Sequence, residues 1–251
     1  HPETISVLRL FGDDPSIRRS LDYIRNETEL PSWMNGIPSY SMWWCKIQCD
    51  LYRYTGDREY LAGQLPYVKQ LCGLLTNCVK SDGTVDIDYK FIDWPSSAQP
   101  SAQALGVRSL LAVSLSSCLG ILHVFGDDSC DEQIKKALKA LSEYPLEKSD
   151  NKQAVALAVF AGLISAKQAE EEILSKDPLS GLSTFLCYYV MQARAKAGAM
   201  RGALDIIRKY YGAMLELGAT TMWEDFDLEW AKNAKPLDAL LGDGEYDVHG
   251  D

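Results

Sequence analysis

Three times along this chain an apolar stretch ends in Gly-Asp and a more polar, amphipathic stretch turns back. The marks are Phe11-Gly12-Asp13-Asp14, Thr55-Gly56-Asp57 and Phe125-Gly126-Asp127-Asp128. A glycine just past a helix takes a left-handed conformation without a Cβ penalty, and an aspartate caps the helix that follows. Each mark therefore reads as the corner of a helix hairpin. Very apolar helices alternating with amphipathic ones predict two layers, with the apolar helices inside. Such a chain closes into an α/α toroid or opens into an α-solenoid. The expectation is an all-α fold of about ten helices in five pairs over residues 1–251, one helical domain. A six-paired toroid would be one pair short here. A start at His1 without an initiator Met, and an end in a Gly/Asp-rich stretch, fit a piece of a longer chain.

Taken in order, Ile5, Val7, Leu8 and Leu10 begin the first helical face. Asp14 caps a second helix, with Pro15 in its first turn and Ile17, Leu21 and Ile24 on its buried stripe. Pro31 to Pro38 reads as a loop. Ser39 is placed to cap a helix over about Tyr40–Tyr54, rich in aromatics. The next runs over about Arg58–Val79, and Pro66 in its interior is expected to kink or split it. Val85, Ile87, Tyr89 and Phe91 alternate with Asp86, Asp88 and Lys90, the one clear β-like pattern, near 84–92. The most apolar helix follows over about Ser101–Phe125. A helix to about Ser142 carries Ile134, Leu138 and Leu141 on one face. Four more fit about Lys152–Leu163, Ala166–Lys176, Leu182–Ala197 and Arg201–Leu217.

The chain is 47% hydrophobic and 24% charged, the make-up of a packed globular protein. A net charge of -10 argues against nucleic acid, whose phosphates select a basic stripe. The run Leu105–Phe125 is interrupted by Arg108, Ser109, Ser114, Ser116 and Ser117. It reads as a buried helix, so no membrane span is expected. The seven cysteines are odd in number and sit in apolar helical patterns, as free core thiols would. Cys45 and Cys49 stand one helical turn apart, but with only His1, His123 and His249 and no second Cys pair, a metal site is not expected. No cofactor motif is present. His123 reads as a satisfied core residue, and Glu170-Glu171-Glu172 as a solvated face.

Three clusters join aromatics to carboxylates at the ends of helices: Trp33 through Trp44, Asp93-Trp94-Pro95 and Trp223-Glu224-Asp225. An aromatic ring stacks on a sugar face, and carboxylates bond hydroxyls or move protons. Hydrolysis of a glycoside needs two carboxyl groups across the scissile bond. No Gly-x-Ser-x-Gly elbow supports a Ser/His/Asp triad.

The third cluster sits in Gly218-Ala219-Thr220-Thr221-Met222-Trp223-Glu224, which resembles the Gly-Ala-Thr-Thr-x-Trp-Glu motif of bacterial α-L-rhamnosidases, glycoside hydrolase family 78. Further resemblances lie in Ile37-Pro38-Ser39-Tyr40-Ser41-Met42-Trp43-Trp44, Tyr54-Thr55-Gly56-Asp57 and Phe91-Ile92-Asp93-Trp94. The resemblance covers essentially the whole chain and implies an (α/α)6 toroid. It implies hydrolysis of terminal α-L-rhamnose with inversion, on a rhamnosyl glycoside or polysaccharide. Glu224 would be the general base and Trp223 a pocket wall. Asp93 and Trp94 would touch the sugar, with Trp43 and Tyr40 lining the pocket more distantly. The chain departs from the family at Phe226, where a second Trp is common. The family's general acid lies upstream of a Trp-x-Gly-Asp segment, and His1-Pro2-Glu3 resembles the residues just after it. Glu3 is therefore not assigned that role, and the remainder of a parent chain would supply the acid. His249 does not match the family's sugar-contacting His. The odd thiol count leans to a reducing compartment, whereas the bacterial family is often periplasmic or secreted. Two rivals have different signatures. A non-catalytic helical repeat module binding a protein partner would not bring Asp93, Trp94 and Glu224 together. A different toroid glycosidase would share the fold but prefer another sugar.

Overall fold

The structure, a computed structural model, describes residues 1–242 and 245–247 and is all-α. His249 lies outside the described residues, as do Asp243 and Gly244 of the C-terminal loop reading. The chain forms two compact units: His1–Ile92 with Gln103–Glu147, and Asp93–Ala102 with the chain from Lys148 onward.

The first unit holds α1 (Pro2–Phe11), α2 (Pro15–Asn26), α3 (Pro38–Thr55), α4 (Arg58–Asn77), nearly all of α5 (Pro100–Val124) and α6 (Asp131–Glu143). The Gly-Asp marks fall at helix ends as read. Gly12, Gly56 and Gly126 have φ of 76°, 71° and 69°, values at which a Cβ would be strained. Asp14 accepts from the Ser16 N–H and Asp57 from the Tyr60 N–H, capping α2 and α4. The third mark differs. Asp127 closes a turn onto Ser129, and α6 begins only at Asp131, with Cys130 before it. The core of this unit has Leu8, Met42, Trp44, Leu61, Leu71, Leu75, Leu110, Leu115 and Ile134 almost fully buried. By length and composition α5 alone, among the described residues, could cross a membrane, but 78% of its most apolar window is buried against protein.

Several local expectations fail for identifiable reasons. Ser39 does not cap α3. The helix starts earlier, at Pro38, whose fixed φ and missing N–H suit a first helical position. The Ser39 hydroxyl is left buried without a partner. Pro66 neither splits nor ends α4, which runs through it for 20 residues. The period-two stretch makes no named strand. It forms one antiparallel bridge, Val79 to Val85, around a turn at Gly83, because the surrounding backbone is committed to helices and offers no edge to extend it. His123 is not a core residue. Its ring is half exposed, and Nε2 lies 2.6 Å from Asp131 Oδ1.

The second unit holds α7 (Lys152–Phe160), α8 (Ala166–Ala169), α9 (Cys187–Lys196), α10 (Met200–Ile206) and α11 (Gly212–Glu216). Asn151 caps α7 and Ser165 caps α8. Two turns of π-helix interrupt the expected single helices, Glu170–Leu174 after α8 and Ile207–Tyr211 between α10 and α11. The first alters the reading of the acidic run. Glu171 and Glu172 are solvated, but Glu170 turns inward to Arg194, whose Nε and Nη2 lie 2.9–3.2 Å from its oxygens. α9 is the hub of this unit, packing against α7, α8 and α10.

Candidate functional site

The sequence motif begins where α11 stops. Gly218, at φ 93°, turns the chain, and the Ala219 N–H bonds back to the Met214 carbonyl at 2.9 Å. This is the hydrogen-bond pattern of a glycine-terminated helix. It releases residues 219–226 as an irregular segment anchored by Phe226, which is buried. Phe226 packs on Tyr210 at a centroid distance of 5.3 Å and on Trp223 at 5.4 Å. Phe226 thus keeps Trp223 half buried beside Glu224, whose carboxylate is exposed.

Asp93, Trp94 and Pro95 lie in the same unit, before the start of α5. The Trp94 indole Nε1–H donates to Glu224 Oε1 at 2.9 Å, joining residues 130 positions apart. One carboxylate oxygen is thereby fixed by a donor, while the group remains open to water and solutes.

Asp93 stands in the opposite environment, 6% exposed. Its Oδ1 accepts from the Ser96 N–H at 3.0 Å, and Oδ2 is buried with no hydrogen-bond partner. Burial raises its pKa above the ordinary 3.8. Hydrogen bonds from Ser96 and Ser183 oppose the rise, and the negative charge of Asp225 adds to it. A buried carboxylate oxygen without a donor is costly unless a ligand or water donates to it. A sugar hydroxyl is a donor of that kind.

The loop carrying Asp93 and Trp94 is held from outside itself. Asn151, while capping α7 through its oxygen, donates through Nδ2 to Ser96 Oγ and to Gln99 Oε1, each at 3.2 Å. Sequence reasoning missed Asn151, Ser96, Ser183 and Thr184. Of these only Asn151 carried a local signal, its position before an apolar helical run.

Tyr40 and Trp43 belong to the first unit, on α3. Tyr40 is 41% exposed, whereas Trp43 is buried and stacks on His1 at 5.8 Å. The seven thiols are free and buried.

No protein-family model matches the sequence, and no curated protein matches it. Among solved structures, a GH78 family rhamnosidase of Bacillus sp. GL1 is similar in fold, with a TM-score of 0.65 and 22% identity. The match covers 86% of this chain and 26% of that one, so the chain spans about a quarter of that protein's length. The all-α fold of successive helices expected from the sequence is thus shared with part of a rhamnosidase.

Proposed function

We propose that this chain is the base-bearing part of an inverting α-L-rhamnosidase, one section of a helical catalytic domain completed by the remainder of a parent chain. The observation that carries the reading is the Trp94–Glu224 hydrogen bond. It brings together two of the aromatic-acid clusters that the family resemblance singled out, and it leaves the carboxylate exposed. The likeness in fold to a rhamnosidase supports it independently.

In this reading Glu224 takes a proton from the water that attacks the anomeric carbon. The Trp94 donor holds one carboxylate oxygen, so that the other meets the water. Asp93 accepts a hydrogen bond from a ring hydroxyl at its unpartnered oxygen. Trp223 forms an apolar wall for a sugar face. An inverting site sets its two carboxyl groups roughly 6.5–9.5 Å apart to admit the water, and the acid comes from the rest of the parent chain.

Alone, this chain is expected to leave an aryl α-L-rhamnoside unhydrolysed, and the parent chain to cleave it. NMR of the parent reaction should show the β-anomer of the freed sugar first. Glu224→Gln in the parent should lower kcat by roughly 10²–10⁴-fold, the usual worth of a general base. Parent activity that survives this substitution removes the base assignment. A panel of other aryl glycosides tests the sugar.

A further inference from the structure

Just before α9 the chain carries a polar pair, Ser183-Thr184, that is buried. Thr184 Oγ1 donates to the main-chain carbonyl of Glu224 at 2.6 Å. The carbonyl of Thr184 in turn accepts from the Tyr211 hydroxyl at 2.8 Å. One residue back, the Ser183 hydroxyl accepts from the Leu186 N–H at 3.1 Å. The Tyr210 hydroxyl lies 2.6 Å from the Phe226 carbonyl and 3.3 Å from that of Leu182. A stretch of three residues, Leu182 to Thr184, is therefore tied directly to the main chain of Glu224 and, through the Tyr210 hydroxyl, to Phe226 on its far side.

The two tyrosines are neighbours in sequence, and both end the π-turn Ile207–Tyr211. Their rings stand edge to face at 5.3 Å. Their hydroxyls reach different strands of chain, Tyr211 to Thr184 and Tyr210 to Phe226. π-turns are rare and often mark functional sites.

The geometry points to Thr184, braced by Tyr211, as the positioning residue for Glu224. Glu224 lies in irregular backbone, without a helix or strand to hold its Cα–Cβ direction. A short hydroxyl bond to its own carbonyl supplies that constraint from a rigid, buried support. Thr184 acts through the backbone of Glu224 rather than on the substrate. The inference rests on the reading of Glu224 as the base, but its test does not require hydrolysis.

The test follows the indole N–H resonance of Trp94 in ¹H–¹⁵N spectra of this chain, assigned by its loss in Trp94→Phe. Glu224→Gln, which replaces the charged acceptor, sets the position for a weakened bond. Thr184→Val keeps the shape and removes the donor, and is expected to move the resonance most of the way to the Glu224→Gln position. Thr184→Ser is expected to leave it in place. Tyr211→Phe is expected to shift it in the same direction by less, and it carries the test if the valine variant fails to fold by circular dichroism. In the parent enzyme Thr184→Val is expected to lower kcat roughly tenfold or more at unchanged KM, since small misplacements of a catalytic group cost rate. A Trp94 resonance that stays put in both Thr184→Val and Tyr211→Phe overturns the inference. A resonance that moves, while Glu224→Gln leaves parent hydrolysis intact, keeps the brace and removes the catalytic role.

Discussion

Asp93 and Glu224 are both carboxylates in the second unit, and their surroundings differ. Glu224 is exposed and receives the Trp94 indole, whereas Asp93 is buried with one oxygen unpartnered. Because burial raises the Asp93 pKa, the folded state holds its proton more tightly than the unfolded chain does. Ionised Asp93 therefore costs stability above its folded pKa, and the cost disappears below the unfolded value of 3.8. Asp93→Asn should raise the melting temperature near neutral pH, and the gain should shrink to nothing in acid. The same variant should weaken binding of L-rhamnose by the parent, measured calorimetrically. A stabilised variant with unchanged binding would separate the burial of Asp93 from any sugar contact. Glu224 and Trp94 were legible as residue types in local motifs, but Thr184 was not. Its partner is a main-chain carbonyl 40 positions away, and any residue offers the same carbonyl.

At the scale of elements, the C-terminal end of α6 shows how the first unit is held. The Arg108 guanidinium, 1% exposed on α5, donates to the carbonyls of Leu141, Tyr144 at 2.6 Å and Pro145 at 2.9 Å, and pairs with Glu147 at 3.1 Å. These carbonyls include the free acceptors at the end of a helix, where a positive charge also meets the negative end of the dipole. Arg108→Leu should cost about 3–5 kcal/mol by urea denaturation, since several buried acceptors lose their donor at once. From the other side, Gly83 in the turn after α4 packs on α6. A Cβ there would lie 2.3 Å from the Ala140 carbonyl oxygen, and φ is 90°. Gly83→Ala should lower stability by about 2–4 kcal/mol through clash and backbone strain together, and the urea midpoint is again the measure. The Ser-rich break in the apolar run was legible as evidence for a buried helix. The purpose of Arg108 was not, because its acceptors lie more than thirty residues away.

At the scale of the molecule, the cysteines divide between the units. Cys45, Cys49, Cys72, Cys78, Cys118 and Cys130 fall in the first, and Cys187 in the second. Burial lifts the thiols of Cys78 to about 11 and of Cys72 and Cys187 to about 12. Reactivity belongs to the thiolate, so the native chain should resist an aromatic disulfide reagent, and unfolding should release all seven thiols. Followed through a denaturant series by mass spectrometry, labelling of Cys187 reports the second unit and labelling of the other six reports the first. Native labelling at neutral pH would contradict their burial. The sequence by itself determined most of the helices and the Gly-Asp corners at Gly12 and Gly56, because helix ends and apolar periodicity are local properties. It also marked Glu224, Trp94 and Asp93 through short motifs. Only tertiary structure decided that the 84–92 stretch pairs no further than the Val79–Val85 bridge, that Glu170 turns inward to Arg194, and that Trp94 reaches Glu224. Each of these depends on a partner distant in sequence, or on its lack, and local periodicity carries no record of such partners.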